Sequence, residues 1–304
     1  TTAGEYILGL DVGSTTTKAI LMRRDTLAIT ASCYLRTNGD PVGASRECYR
    51  EILAQIPSPE DITISGLGVT GSGRQIAGLH ALTNGVINEI VAHAAAAVHF
   101  DPEVETIFEI GGQDAKYTSI TNRVASDYAM NEACSAGTGS FLEEASQESL
   151  GIGTLEIADI AFTASAPLDF NDQCAAFIGS DIKTAVQEQA ARADVVAGLV
   201  YSICQNYLNR VKGNRPVGKK IFMQGGVCYN RAIPVAMANL CGQKIIVPPE
   251  PGLMGAFGAA LETHRKIEQR LLEKQTFELP VLIDRAVEYR EPFVCPGGRD
   301  GCDR

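Results

Sequence analysis

The sequence lacks tryptophan, and only 6% of its 304 residues are aromatic. It contains no run of about 18 apolar residues, the minimum for a membrane-spanning helix, and its first residues do not join a basic stretch to an apolar core as a secretory signal does. Lys and Arg number 26 against 36 Asp and Glu, which gives a net charge of −10. Sequence-independent binding to nucleic acid needs a basic surface and is therefore not expected. No membrane span or signal peptide is predicted, so the cytoplasm is the expected compartment.

What the sequence does contain is enough chain for two domains of ordinary size. A length of 304 residues allows each half to bury a core of its own. The composition, 45% hydrophobic and 20% charged, is that of a globular protein rather than a disordered or fibrous one. Two globular domains are the expectation.

Nine cysteines are many for a reducing compartment. Their number is odd and their spacings are wide, which favours metal ligands or free thiols over a disulfide framework. Five of them lie in apolar surroundings and are predicted to be packing residues. These are Cys33, Cys48, Cys204, Cys228 and Cys241.

The chain begins with a predicted β-hairpin that recurs about a hundred residues later. Strands over 6–10 and 18–22 enclose a polar turn, and strands over 106–110 and 116–120 enclose a second turn. The repetition indicates a duplicated α/β domain. Further strands are predicted over 62–69, 220–224 and 244–247, and helices over 44–56, 85–99, 138–149, 182–192, 195–211 and 255–272.

Each hairpin turn is a candidate phosphate-binding loop, because glycine and hydroxyl residues expose donors that can surround phosphate oxygens. In the first turn Asp11, at the strand end, is placed to hold a water on Mg²⁺; in the second, Gln113 and Asp114 suit Mg²⁺ or a catalytic water. A third glycine pair would let an adenosine lie against the backbone. A single such turn is equally well explained as an ordinary hairpin turn, but three in this order indicate a nucleotide site. The predicted nucleotide-binding residues are Gly13, Ser14, Thr15, Thr16, Lys18, Gly111, Gly112, Gly137, Gly225, Gly226, Val227 and Asn230.

Four further segments carry a family resemblance, namely residues 69–74 (VTGSGR), 131–142 (NEACSAGTGSFL), 172–178 (DQCAAFI) and 251–256 (PGLMGA). With the three turns, they make the chain resemble the activators of 2-hydroxyacyl-CoA dehydratases and the ATPase subunits of benzoyl-CoA reductase (BadF/BadG/BcrA/BcrD type), within the actin/Hsp70/sugar-kinase superfamily. The resemblance covers about residues 6–272. It implies an α/β fold of two actin-like (ribonuclease H-like) domains with a nucleotide cleft between them.

The resemblance also implies domain limits. Residues 1–105 would form the first domain, completed by the C-terminal helix 253–272, and residues 106–252 the second. Residues 273–304 are expected to be a tail that leads into a longer protein. In that tail Cys295 and Cys302 suit either a further metal centre or a mobile segment.

The function implied is ATP hydrolysis coupled to electron transfer. In the family a [4Fe–4S] cluster lies on a homodimer axis with two cysteines from each subunit, and the matching residues are Cys134 and Cys174. A low-potential donor (ferredoxin or flavodoxin) would reduce the cluster, ATP/ADP and Mg²⁺ would bind in the cleft, and a dehydratase or reductase partner would accept the electron. Oxygen sensitivity, and hence an anaerobic setting, is expected. The residues themselves support a cluster, because Cys134 precedes a helix start whose positive end favours thiolates.

Other interpretations remain open on the residues alone. Cys134 and Cys174 are also compatible with two buried thiols or a redox disulfide. The chain could be a small-molecule kinase of the same fold, with Asp114 or another carboxylate as base, or a nucleotide-dependent scaffold. The four histidines are predicted to be structural or at the surface, and Arg74 to hold either the interdomain surface or phosphate.

Overall fold

The computed structural model describes residues 2–131, 137–172 and 175–288. They form two five-stranded sheets, ordered β3-β2-β1-β4-β5 and β8-β7-β6-β9-β10. The strands of the first sheet are β1 Gly4–Val12, β2 Thr16–Arg23, β3 Ile29–Arg36, β4 Ile62–Thr70 and β5 Gly85–Val86. Those of the second are β6 Thr106–Ile110, β7 Ala115–Thr121, β8 Val124–Asn131, β9 Ile221–Gln224 and β10 Ile245–Ile246.

The two sheets have the same topology, which confirms the predicted duplication. In each, the first three strands are antiparallel neighbours, the fourth strand pairs in parallel with the first, and the fifth pairs in parallel with the fourth. The strands β3 and β8 were not predicted. Both are edge strands with many exposed or half-buried residues, so they do not have the continuous apolar pattern that identifies a buried strand.

Helices cover both sheets. They are α1 Pro41–Ala54, α2 Arg74–Ala81, α3 Glu89–Phe100, α4 Gly139–Leu150, α5 Ile157–Ala161, α6 Ala175–Gln187, α7 Arg192–Asn206, α8 Ala232–Cys241, α9 Met254–Glu268 and α10 Leu279–Asp284. Helix α7 continues into a π-helical segment, Tyr207–Lys212. Within the described residues, no helix is both long and apolar enough to cross a membrane.

Several predicted helix limits were wrong. The helix predicted over 85–99 begins at Glu89, because Asn88 caps it by accepting a hydrogen bond from the Ile90 amide. The helix predicted over 182–192 is α6, which ends before Gln189, whose φ of +62° is incompatible with a helix. Helices α2 and α8 were missed, since each contains a residue that weakens a helical pattern, a glycine in α2 and a proline in α8.

Helix α9 lies against both the first sheet and α3, and small residues allow a very close approach. A Cβ on Gly9 of β1 would lie 2.1 Å from the Ala256 carbonyl oxygen, and one on Gly68 of β4 would lie 2.4 Å from that of Ala259. Helix α9, although it lies late in the chain, therefore packs on the N-terminal sheet.

Candidate functional site

A cleft between the two sheets contains two joined cavities, of about 460 Å³ and 60 Å³. Five residues line both and make them continuous: Thr15, Thr16, Tyr34, Gly112 and Gly226. The predicted residues that line the smaller cavity are Asp11, Gly13, Ser14, Thr15, Thr16, Lys18, Gly111, Gly112, Gln113, Asp114, Gly225 and Gly226. Val227 and Asn230 line the larger one. The fold thus brings all three predicted turns to one site.

The first turn is closed by a hydrogen bond from the Gly13 amide to the Thr16 carbonyl oxygen, 2.9 Å long. Asp11 is buried at the end of β1, and its Oδ2 lies 3.3 Å from Lys18 Nζ. Burial alone would lower the pKa of Lys18, but the charge of Asp11 and the proximity of Tyr34 raise that pKa above its ordinary value. Lys18 is therefore a fixed positive charge in the small cavity.

The second turn is bonded to the first turn of a helix. The Gly111 amide donates to the Asp114 carbonyl (2.9 Å), and the amides of Gly139 and Ser140 donate to the carbonyls of Gly111 and Gly112 at 2.8 and 2.7 Å. Gly139 and Ser140 begin α4. Helix α4 is consequently tied by its N-terminus to the second turn.

The glycines let the two halves meet. A Cβ on Gly112 would lie 2.7 Å from Thr15 Oγ1, and one on Gly226 would lie 2.3 Å from the Tyr34 hydroxyl. Gly225 has a φ of +98°, and its Cβ would lie 2.1 Å from the Ile110 carbonyl oxygen. Substitution of these glycines would force the walls of the cleft apart.

Two buried polar atoms at the cavity walls have no hydrogen-bond partner among the residues that the structure describes. They are Thr15 Oγ1 and Asn230 Nδ2. Unsatisfied buried polar atoms are costly unless a ligand or water completes them. A polar ligand that reaches from the first turn to Asn230 would satisfy both.

Charged residues that the sequence analysis missed complete the smaller cavity. Lys116, 2% exposed, places Nζ 2.9 Å from both Glu89 Oε2 and Asp114 Oδ2, and 3.3 Å from Glu109 Oε1. Burial alone would lower the pKa of Lys116, but the three carboxylates outweigh it and raise that pKa well above its ordinary value. Glu109 and Lys116 flank the second turn as Asp11 and Lys18 flank the first, and that parallel in the sequence was the available signal.

His93, assigned from sequence to a structural or surface role, also lines this cavity. It is buried, with Nε2 3.3 Å from Glu109 Oε1 and Nδ1 2.9 Å from Gln224 Oε1.

Arg74 lines neither cavity. Its Nη1 donates to the Gly71 carbonyl at 3.0 Å and lies 3.5 Å from Glu89 Oε1. Arg74 therefore forms an ion pair with Glu89 from outside the cleft.

The predicted cluster ligands Cys134 and Cys174 lie outside the described residues, as do Cys295 and Cys302. Across residues 2–131, 137–172 and 175–288, no three His, Cys, Asp or Glu side chains are grouped so as to hold a metal ion.

Gly137, predicted from the sequence to bind the nucleotide, is not among the residues that line either cavity. It has a φ of +84° and packs on the Tyr207 backbone. Of the five cysteines predicted to pack, three are buried and Cys33 and Cys241 are half-buried.

Tyr34 stands where the two cavities join, and sequence reasoning did not identify it. Its ring contacts Tyr229 edge-on at 6.1 Å between centroids and lies 5.6 Å from Lys18 Nζ. We expect Tyr34→Ala to weaken ATP binding roughly 10-fold, since an aromatic wall is lost from the cavity. Isothermal titration calorimetry measures this. The control is Tyr128→Ala, at an exposed position, which should bind ATP as the wild type does. An unchanged ATP affinity in Tyr34→Ala would show that Tyr34 does not form a wall of the nucleotide site.

Comparison with known proteins places this site in a family. A model described as the BadF/BadG/BcrA/BcrD ATPase family matches residues 8–263. The 2-hydroxyisocaproyl-CoA dehydratase activator of Clostridioides difficile is 32% identical over 257 residues, which are 84% of this chain and 94% of that protein.

Solved structures of dehydratase activators also match this chain. Component A of the (R)-2-hydroxyglutaryl-CoA dehydratase from Acidaminococcus fermentans matches with a TM-score of 0.80 at 27% identity, over 87% of this chain and 100% of that one. A 2-hydroxyisocaproyl-CoA dehydratase activator from Clostridium difficile with bound ADPNP matches with a TM-score of 0.76 at 30% identity, over 88% and 97%. These matches confirm the predicted fold of two actin-like domains around a cleft. The chain belongs to the BadF/BadG/BcrA/BcrD ATPase family.

Proposed function

We propose that this protein is an ATP-dependent activator that delivers low-potential electrons to a dehydratase or related reductase through a [4Fe–4S] cluster shared by a homodimer. One observation carries the coupling of nucleotide to redox chemistry. The second turn of the cleft is hydrogen-bonded to the first residues of α4, and α4 begins five residues after Cys134. A displacement of that turn would move the start of α4, which Cys134 precedes by five residues in the chain.

The cleft fits a nucleotide with its phosphates in the smaller cavity. The unpartnered Thr15 Oγ1 would reach a phosphate and Asn230 Nδ2 would reach the adenosine, while Lys18 supplies a fixed positive charge. Mg²⁺ in nucleotide sites is commonly held by one or two carboxylates, water and the substrate phosphates. Asp11, with Asp114 and Gln113, would supply that shell, which does not require a preformed site of three protein ligands.

The two cysteines fit a shared cluster by their positions in the chain. Cys174 immediately precedes α6, and Cys134 shortly precedes α4. Helix N-termini carry partial positive charge that favours thiolates and an anionic cluster. Two thiolates from each chain would provide about four ligands, the number that a [4Fe–4S] cluster requires. When bound, the cluster supplies one-electron transfer, and a ferredoxin or flavodoxin would reduce it.

The chain's own residues would perform the nucleotide step. The two halves would enclose the phosphates between the first and second turns, which line the same small cavity. Asp11, Gln113 and Asp114 would orient that water. Nucleotide binding can shift the protein between open and closed forms only by its difference in affinity for them. ATP therefore acts as a gate for docking and electron transfer.

The proposed domain division follows the packing. We assign residues 1–105 with α9 to one domain and residues 106–252 to the other. Support comes from the contacts of α9 with β1 and β4. Closure would then move the second domain towards the first across the cleft.

Asp11→Asn tests the nucleotide step. Asparagine retains the shape but loses the charge that would orient a Mg²⁺-bound water, so the kcat for ATP hydrolysis should fall roughly 100-fold. Iron content should stay unchanged, because Asp11 is remote in sequence from both cysteines. The measurement is anaerobic phosphate release, with the exposed Asp25→Asn as control. If Asp11→Asn hydrolysed ATP at the wild-type rate, Asp11 would not be the residue that orients the attacking water.

A further inference from the structure

Each half of the molecule presents an acid–lysine pair to the smaller cavity. Asp11 and Lys18 are cross-strand neighbours in β1 and β2, and Glu109 and Lys116 are cross-strand neighbours in β6 and β7. In both pairs the lysine Nζ lies 3.3 Å from a carboxylate oxygen. The duplicated fold has therefore placed two equivalent ion pairs on opposite walls of the cavity.

Helix α3 contacts the second of these pairs. Glu89 and His93 are four residues apart and share one face of the helix. Glu89 Oε2 lies 2.9 Å from Lys116 Nζ, and His93 Nε2 lies 3.3 Å from Glu109 Oε1. Helix α3 packs between α9 and the second sheet, where Ala94 and Ala97 meet Phe222. The Glu89–Lys116 ion pair therefore joins a helix of residues 1–105 to a strand of the second sheet.

The charges around the cavity make Lys116 decisive. Four carboxylates line it, those of Asp11, Glu89, Glu109 and Asp114. Lys116 contacts three of them, all within 3.3 Å. Without its ammonium group, three carboxylates would face an incoming polyphosphate and repel it, and two of them, those of Glu89 and Glu109, are largely shielded from water.

We infer that Lys116 is a positioning residue for nucleotide phosphates: it gathers Glu89 of α3 with Glu109 and Asp114 of the second half into one cluster. Its ammonium group offsets part of the negative charge of that cluster, so that the small cavity can accept a triphosphate. This inference rests on the proposed ATP-binding function. It predicts that affinity depends on Lys116 in proportion to the number of phosphates on the ligand. A residue that only supported the fold would affect every ligand alike.

The test compares the affinities of adenosine, ADP and ADPNP by calorimetry. In Lys116→Met, ADPNP binding should weaken about 30-fold or more, as expected when one partner of a buried charge cluster is removed, whereas adenosine binding should change less than about threefold. Lys116→Arg should restore part of the loss. The double variant Glu89→Gln/Lys116→Met should recover about tenfold in ADPNP affinity, because one uncompensated carboxylate is gone. The exposed Lys219→Met is the control.

Glu89→Gln alone provides a reading with the opposite sign. It leaves Lys116 with one carboxylate fewer, so ADPNP should bind more tightly and adenosine unchanged. If Lys116→Met does not fold, the affinities of Glu89→Gln still test the inference. Equal losses for all three ligands in Lys116→Met, or weaker ADPNP binding in Glu89→Gln, would overturn the inference.

Failure of the proposed function is distinguishable. If the wild-type protein binds none of the three ligands, ATP binding itself is wrong. The inference about phosphates then fails with it, whereas equal losses for all three ligands overturn the inference and leave ATP binding intact. Thermal unfolding of Glu89→Gln, Lys116→Met and the double variant shows separately whether the charge cluster exists, because non-additive midpoints indicate that the two side chains interact and additive midpoints that they do not.

Discussion

Replacing either Cys134 or Cys174 with alanine is expected to remove the iron from this protein. Wild-type protein purified without oxygen should contain about four irons and four sulfides per two chains, and each variant should contain almost none, because each replacement removes one thiolate from both chains and leaves only half of the ligands that the cluster requires. The visible absorbance of the cluster should disappear with the iron. Chemical iron and sulfide analysis with mass determination measures this directly.

A matched control separates ligation from general damage. Cys241 is half-buried in α8, and the pKa of its thiol is raised chiefly by burial, so Cys241→Ala should retain the full iron content. If wild-type protein remained free of iron after anaerobic reconstitution, the electron-transfer function would be refuted. A small-molecule kinase of the same fold would then be the better explanation, since a kinase needs neither cysteine.

Replacing Gly258 with alanine is expected to lower the stability of the protein substantially. A Cβ at this position would lie only 1.7 Å from the Ala92 carbonyl oxygen, where α9 crosses α3. The obstructing atoms belong to the helix backbone, so no side-chain rotation can relieve the clash. We expect a loss of roughly 3 kcal/mol in the free energy of unfolding, at the upper end for overpacking, and a fall in Tm of roughly 10 °C.

Gly179→Ala is the control for this prediction. Gly179 also lies within a helix, α6, but its Cβ would meet only the Ser149 hydroxyl at 3.5 Å, which is ordinary contact. The variant should be unchanged or slightly more stable, because alanine is the better helix former. A Gly258→Ala protein with the same Tm as Gly179→Ala would show that the helices do not cross so closely.

The sequence was informative about the cleft because the chemistry of phosphate binding is local. Each predicted turn combines glycine with polar residues over a few positions, and each lies at the end of a strand. Asp11, Gly112 and Gly226 could therefore be placed in one site without coordinates. The family resemblance supplied the order in which the turns meet.

The residues that were missed owe their roles to tertiary contacts. Glu89 and His93 lie in an alanine-rich helix whose polar side chains carry no motif, and only the packing of α3 on the second sheet brings them to Lys116 and Glu109. Tyr34 lies on an edge strand with no strong pattern. Such positions follow from the assembly of two sheets, which local sequence does not encode.

The central claim is that ATP turnover and the redox centre are coupled. The most direct measurement is the rate of ATP hydrolysis by one anaerobic preparation with its iron–sulfur centre first oxidised and then reduced, beside Cys134→Ala. The account predicts a wild-type rate that changes with redox state and a variant rate that does not. Equal wild-type rates in both states, with iron present, would contradict it.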